Sequence, residues 1–529
     1  MSGRLAIDFG TSNTLAAIWD PIHKEGIPVE IPDYSIPVRQ GSTQIPVIPS
    51  LIHYTPDNRQ WIGNQVIQHG LKQSNQTFRW MKRYITQRSP YKVRMNGREI
   101  TPYIAGQDFL SSVLVFAGQQ VNLKDEEIAF SVPVEAFEHY ENWLSTIAEG
   151  IGMRRYRLID EPSAAALGYG THIQPGNTYL VFDFGGGTLH AAIVLIEEPG
   201  EKTGPRCRVL GKAGLDLGGT SIDQWIFQRV LKNNHRQDMD EDVRRMSASL
   251  LVECERVKEQ LSFQESAELT VMDPETGAVL SDTMTRSQLE DLMEEQGLFT
   301  HLNRTIQRAV NHAREHGYQE EHIHSILMVG GSSQIPSVQR ILRQIFGAER
   351  VFFNRPLDAI ARGAAAFVAG MDFYDHIQHD YAIRHTNPKT GGYEYRTIVR
   401  RGTPYPTQKP VATLTVKASH DGQQNLGLAI FEVSEHRRLD TAEPVELMFD
   451  PGGAARIVPI TPQDEENRSL FWMNEHQPTF LVANPPAEMG QPRFRVEFNV
   501  DANKRLTITV RDMVTNSLTH RDYPVVKLT

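Results

Sequence analysis

The stretch VFDFGGGTLH, residues 181–190, sets an apolar run and an aspartate directly before three glycines and closes on a histidine. A turn made only of glycine has no Cβ to hold a ligand away and can take positive φ, so successive backbone N–H groups can converge on one anion. Polyphosphate is the natural guest. Asp183, at the end of the apolar run, is an oxygen donor placed to hold Mg²⁺ through its waters. One such copy could equally be an ordinary hairpin turn. The chain carries the plan twice, however: AIDFGTSNT at 6–14 has the same short apolar strand, Asp-Phe-Gly and a following threonine, with Asp8 in the place of Asp183. Two copies so far apart predict a duplicated half, each half continuing with strands and then helices, rather than a short repeat array. Thr11, Ser12, Asn13 and Thr188 add hydroxyl and amide contacts. Neither GxxxxGK[ST] nor a GxGxxG following a strand occurs.

Outward from these turns, apolar spacing predicts a helix within 134–151, with Val134, Phe137, Trp143, Leu144, Ile147 and Ile151 on one face, and further helices over 248–262 and 302–316. HSILMVGGSS at 324–333 reads as a buried strand ending in a glycine turn. Two α/β lobes with a cleft between them are expected. The chain of 529 residues is long enough for two to four domains. A net charge of -10 without a lysine- or arginine-rich block argues against a nucleic-acid partner. No run approaches a membrane span and the first residues do not read as a signal peptide, so no membrane partner and a cytoplasmic location are expected. Cys207 and Cys254 form no metal-ligand pattern, and Cys254 falls on the stripe Leu250, Cys254, Val257, Leu261, which predicts a buried thiol.

The ordered series AIDFGTSN, MKRYI, FSVP, LIDEPSAAALGYG, VFDFGGGT, LDLGGTSID, CERVKEQLS, LMVGGSSQIP and NRPLDAIARGAAA resembles the Hsp70 chaperone family, whose ATPase has the actin-like, duplicated ribonuclease-H-like fold. The resemblance implies a two-lobed actin-like α/β ATPase domain over 1–371, a linker over 372–385 and an all-β sandwich-type substrate domain over 386–529. It also implies ATP or ADP with Mg²⁺ as cofactors, K⁺ as a second candidate ion, and as partners unfolded or client polypeptide with a J-domain co-chaperone or nucleotide exchange factor. By the same resemblance Asp8 and Asp183 hold the metal, and Gly10, Thr11, Ser12, Asn13, Gly185, Gly186, Gly187 and Thr188 embrace the phosphates. Lys82 reaches the terminal phosphate, Glu161 places water or metal, and Pro133 relays nucleotide state. Gly218, Gly219, Glu255, Lys258, Ser262, Gly330, Gly331, Ser332, Gln334 and Asp358 complete the nucleotide site. Read without the family, Lys82 beside Arg83 is a solvated pair and Glu255/Lys258 an exposed i, i+3 pair.

Three departures matter. Where the family ends the second phosphate motif in aspartate this chain has His190. Losing a carboxylate about 6 Å from the cation removes, at an effective dielectric near 20, about 3 kcal/mol per unit of cation charge, about 100-fold in turnover if all of it is felt in the transition state. Slow turnover and an altered ion preference both follow as readings. Glu259 and Gln334 stand where arginines commonly sandwich adenine. The family's leucine-rich linker is replaced by DFYDHIQHDYAIRH.

In the last part, Ala412, Leu414, Val416 and Ala418 alternate with Val411, Thr413, Thr415 and Lys417, and Phe494, Val496, Phe498 and Val500 lead through DANKR to Leu506, Ile508 and Val510. Period two with one apolar face predicts strands, while 456–492 reads as an irregular insertion. Leu414, Val416, Ile430 and Phe431 are candidate peptide-pocket residues, with core packing as the alternative for each. The resemblance leads us to expect the helical lid to be missing and any peptide to leave quickly. Two functions remain open: a chaperone that couples ATP hydrolysis, slow or otherwise, to client binding, and a nucleotide-gated interaction module that scarcely hydrolyses ATP. A sugar kinase is disfavoured by the appended β region.

Overall fold

The computed structural model describes residues 5–528 except 58, 96, 121–127, 134–137, 154–155, 171–172, 198–205, 370–372, 375–376, 378, 388–390, 404, 406, 434–444, 450–453, 460–469, 476–477 and 502–504. The chain forms two compact units: Met1–Val134, Trp143–Tyr374 and Arg437–Ile460 make the first, and Glu135–Asn142, Asp375–His436 and Thr461–Thr529 the second.

In the first unit each Asp-Phe-Gly stretch ends the first strand of an antiparallel hairpin. Leu5–Phe9 pairs with Asn13–Asp20 across the turn Gly10–Ser12, and Thr178–Phe184 pairs with Leu189–Glu197 across Gly185–Thr188. The two hairpins then recruit the same kind of neighbours. Leu5–Phe9 runs parallel to Ile128–Val132, itself parallel to Tyr156–Asp160. Thr178–Phe184 runs parallel to Ile323–Val329, itself parallel to Val351–Phe352. On the other side each hairpin adds antiparallel strands, Glu25–Pro28 in one sheet and Arg206–Leu215 in the other. The duplicated plan of the sequence is therefore a duplicated sheet topology. The central strands Leu5–Phe9, Ile128–Val132 and Thr178–Phe184 are buried along their whole length, as strands covered on both faces are.

Two short helices join the sheets. Glu161–Gly168 starts at Asp160, whose side chain accepts from the backbone N–H of Ser163 at 3.0 Å, an N-cap with proline in the first turn. It crosses Ala359–Val368 so closely that a methyl at Gly168 would overlap the carbonyl of Ala359, and one at Gly363 the carbonyl of Ala164. These glycines set the distance between the helices. Ala6, Leu15 and Ile159 of one sheet and Val181, Ala192 and Leu327 of the other share one core with Ala164 and Ala365 of the helix pair.

The apolar stripe Leu250, Cys254, Val257, Leu261 is buried on helix Glu241–Leu261. The helix expected within 134–151 runs over Glu138–Gly150 with Trp143, Leu144 and Ile147 buried; Ile151 lies past its end, and Val134 and Phe137 fall outside the described residues. Among the described residues, no helix is long and apolar enough to cross a membrane.

The second unit is antiparallel β structure. Tyr393–Val399, Asp380–Thr386, Ile430–Val433 and Leu470–Trp472 form one sheet; Ala412–Lys417, Pro492–Val500, Arg505–Asp512 and Leu518–Lys527 form another. Phe494, Val496, Phe498, Leu506, Ile508 and Val510 face a common core with Leu414, Leu426, Ile430 and Leu481. The reading of 456–492 as irregular is corrected: Thr479–Ala487 is a strand paired with Gln423–Leu428. Phe480 and Val482 are exposed while Leu481 and Ala483 are buried, so its outward face is as apolar as its inward face and the alternation is hidden. Residues of the stretch 372–385 are likewise in strands: Phe373–Tyr374 pairs with Cys207–Arg208, and Asp380 begins the strand to Thr386. The hairpin Val445–Phe449/Ala455–Pro459 belongs to the first unit, where Ala455 N–H donates to Ser247 Oγ and Ile457 N–H to Asp238 Oδ2, both at 2.9 Å.

Candidate functional site

At the end of the first hairpin Asp8 is buried and accepts from Ser131 Oγ at 2.7 Å, a neighbour supplied by the parallel strand Ile128–Val132. Asp183 is buried at the end of the second hairpin, and the ladder sets it directly opposite His190. Cross-strand partners share one face of a sheet. The histidine that closes the opening motif thus stands beside the aspartate that precedes its glycines.

Lys82, from the short helix Met81–Thr86, donates to Glu161 Oε1 at the start of the crossing helix. The other carboxylate oxygen, Oε2, lies 3.9 Å from His190 Nδ1. Burial pushes the Asp8 carboxyl up to about 6, opposed by the Lys82 charge, reinforced by Glu161 and opposed again by the Ser131 hydroxyl. Burial, then the Glu161 and Asp8 charges, raises Asp183 well above the ordinary carboxylate range, with Lys82 opposing. The sequence-predicted quartet Asp8, Asp183, Lys82 and Glu161 therefore shares one desolvated pocket in which each group feels the others.

The glycine turns border it. A Cβ on Gly187 would sit 2.6 Å from Thr11 Oγ1, and one on Gly186 2.5 Å from Ser12 Oγ, so the two turns abut. Gly185 and Gly186 offer their carbonyls to the backbone N–H groups of Gly219 and Thr220, at 3.0 and 2.7 Å. A Cβ on Gly218 would lie 2.5 Å from the Gly186 oxygen. Gly330 has φ +84° and leaves room for Asp183 Oδ1, 2.6 Å from where its Cβ would be; Ser332 Oγ donates to the Gly185 carbonyl at 2.9 Å. Thr188 closes its own turn by accepting from Gly185 N–H at 3.0 Å, Asn13 is exposed, Gly10 is half-buried, and Gly331 and Gln334 lie in the single 3-10 turn Gly331–Gln334.

Along helix Glu241–Leu261, Lys258 Nζ reaches Asp223 at 2.8 Å and the Gly219 carbonyl at 3.2 Å, and Glu255 pairs with Lys72 at 2.9 Å. Ser262 caps the helix, and Glu259 is exposed beside them. Asp358 stands apart: its oxygens accept from Gln40 Nε2 at 2.8 Å and from Arg362, which ties the helix Ala359–Val368 to strand Ile36–Gln40. Pro133 is buried at the end of its strand. Asp223 was not singled out from the sequence although it ends the quoted motif LDLGGTSID; burial pushes its carboxyl up to about 7 against the pull of Lys258. Arg83, donating to Thr220 Oγ1, and Ser131 were missed too, for they lie inside MKRYI and FSVP without a charge pattern of their own.

In the second unit Leu414 and Ile430 are core residues and Val416 packs on that core. Phe431 stacks on Trp472 with centroids 5.8 Å apart. None of the four lines the cavity of about 290 Å³ bordered by Arg384, Tyr393, Leu428, Trp472 and Phe480. Its Arg384 guanidinium lies over Tyr393 at 4.5 Å and Trp472 at 4.6 Å.

Residues 5–443 match a family model described as Hsp70 protein. The rice (Oryza sativa subsp. japonica) protein called Heat shock 70 kDa protein BIP3 is 30% identical over 378 residues, 69% of this chain and 49% of the relative, so the chain spans about half that relative's length. A glycine-lined pocket holding Asp8, Asp183, Lys82 and Glu161, together with a match over most of the sequence, places the chain in the Hsp70 family of chaperones.

Proposed function

We propose that the first unit binds ATP with a divalent ion between its two glycine turns, as two lobes around one cleft, and that nucleotide state governs transient binding of client polypeptide by the β unit. One observation carries the reading: Lys82, Glu161, Asp8 and Asp183, from four separate stretches of sequence, meet in one buried pocket beside two abutting turns that contain glycine. The residues fit a nucleotide-bound divalent ion, because buried oxygen donors stand beside the glycine turns at Asp8 and Asp183. The bound ion would neutralise charge on the phosphates. Lys82, oriented by Glu161, puts a point charge on the group being transferred, Glu161 orients the attacking water, and backbone N–H groups of the turns hold the remaining oxygens. The aromatic cavity under Arg384 is where a client side chain would be received.

Single-turnover hydrolysis of radiolabelled ATP tests it, with Lys82→Ala and Asp8→Asn alongside. Loss of one preorganised donor lowers the rate about 10²–10³-fold; equal rates in wild type and Lys82→Ala would remove Lys82 from the mechanism. A second reading, a nucleotide-gated binder with scarce hydrolysis, is favoured by His190 and is supported if wild type binds ATP without cleaving it.

A further inference from the structure

We propose that this pocket selects a divalent ion that accepts nitrogen, with Asp183, Glu161 and His190 as its protein ligands. Each of the three offers one donor atom, and these atoms lie within 4.8 Å of one another. All three side chains are buried, His190 at 2%, Glu161 at 3% and Asp183 at 4% exposure. The hairpin register fixes Asp183 and His190 side by side, and Glu161 divides its oxygens, Oε1 to Lys82 and Oε2 toward His190. Two donors that each lie about 2.1 Å from one ion stand about 3.0–3.4 Å apart at octahedral or tetrahedral angles. The Glu161–His190 pair at 3.9 Å closes to this with a movement of about 0.5–0.9 Å, and the widest gap in the trio with at most about 1.4–1.8 Å, within reach of side-chain adjustment on binding.

Charge makes the same demand independently of distance. Asp8, Asp183 and Glu161 are buried together, and Lys82 donates to Glu161. Buried carboxylates without compensation are costly, and a divalent ion among them offsets that cost. Imidazole adds a donor without adding charge, so it discriminates by donor type: Mg²⁺ prefers an all-oxygen, water-rich shell, whereas Mn²⁺, Co²⁺ and Zn²⁺ accept a ring nitrogen. The inference deepens the functional reading above and rests on it for what the ion does, but not for the ion's binding.

The test uses the full chain, stripped of metal and nucleotide, titrated with Mn²⁺ and followed by electron paramagnetic resonance. We expect tight Mn²⁺ binding that Mg²⁺ displaces only in large excess, with pulsed spectra showing a ¹⁴N coupling that ¹⁵N-histidine labelling converts. His190→Gln abolishes the coupling and weakens Mn²⁺ by about tenfold or more, at least what loss of an outer partner of a metal ligand costs. His190→Asp removes the coupling and moves the preference toward Mg²⁺. An oxygen-only Mn²⁺ spectrum in wild type, unchanged affinity in His190→Gln, or equal competition by Mg²⁺ in wild type overturns the inference. The labelled wild-type spectrum decides even if both variants misfold. Imidazole-bound Mn²⁺ without ATP binding would strike the functional reading alone; ATP binding with no nitrogen coupling would strike this inference alone.

Discussion

Replacing Lys82 with methionine withdraws the ammonium from the group formed by Asp8, Glu161 and Asp183, none of which is more than 7% exposed. Breaking a buried ion pair by deleting one partner costs about 3–5 kcal/mol. Proton uptake limits that loss, because a carboxyl can neutralise itself. Holding one carboxyl of ordinary pKa near 4 protonated costs about 1.4 kcal/mol for each pH unit above that value, about 4 kcal/mol at pH 7 and about 1.4 kcal/mol at pH 5. The sign follows from linkage: the folded variant keeps a proton that the unfolded chain has released, so its deficit relative to wild type grows as pH rises and disappears below about pH 4. At pH 7 this is a large share of a typical 5–15 kcal/mol stability. Urea unfolding of wild type and Lys82→Met in EDTA at pH 5, 6, 7 and 8 measures it through the change in midpoint at constant slope. A deficit that stays level from pH 5 to pH 7 would refute the claim that Lys82 neutralises these carboxylates. Saturating divalent ion should recover most of the loss.

Gly363→Ala drives a methyl into the backbone carbonyl of Ala164, which has no rotamer to escape through, and should lower stability by about 3 kcal/mol in thermal unfolding, the upper end of overpacking costs. Gly150→Ala, with nothing within 4 Å of the new atom, is the control and should be neutral or better. In the second unit Arg493 pairs with Asp512 at 2.8 Å in a buried setting, so Arg493→Met should cost about 3–5 kcal/mol, read by Trp472 fluorescence. Against its burial, the N–H groups of Val514 and Thr515 and the Arg493 guanidinium hold the Asp512 carboxyl below its ordinary range. Its contribution is therefore present above about pH 4 and fades as pH falls through the lower folded value. Burial pushes both thiols well up, so Cys207 and Cys254 should ignore a thiol reagent in the native protein and react after denaturation.

The hairpins at Asp8 and Asp183 were legible because strand, carboxylate and turn are contiguous and each signal is local. Helix Glu241–Leu261 was legible because its buried stripe recurs at helical spacing over most of its length. Other features depend on partners far along the chain. Asp223 reads as one acidic residue on a helix until Lys258 is brought against it. Asp358 reads as a ligand-binding residue until Gln40 and Arg362 take both its oxygens. Strand Thr479–Ala487 was missed because Phe480 and Val482 erase the polar half of its alternation and Pro485 and Pro486 follow within it. Arg384 gives no local hint that it lies over aromatic rings, two of which come from segments distant in sequence.

The abutting glycine turns bear on how such sequences drift. Gly218 is confined by the Gly186 carbonyl and Gly330 by the Phe184 carbonyl and its own positive φ, before any nucleotide is considered. A lineage that gave up ATP altogether would still be held to glycine at these two places by its own backbone. The residues released to vary would be those with work only in the presence of a phosphate. Survival of the glycine signature therefore certifies an ancestry and a chain path, and by itself it says nothing of a living ATPase.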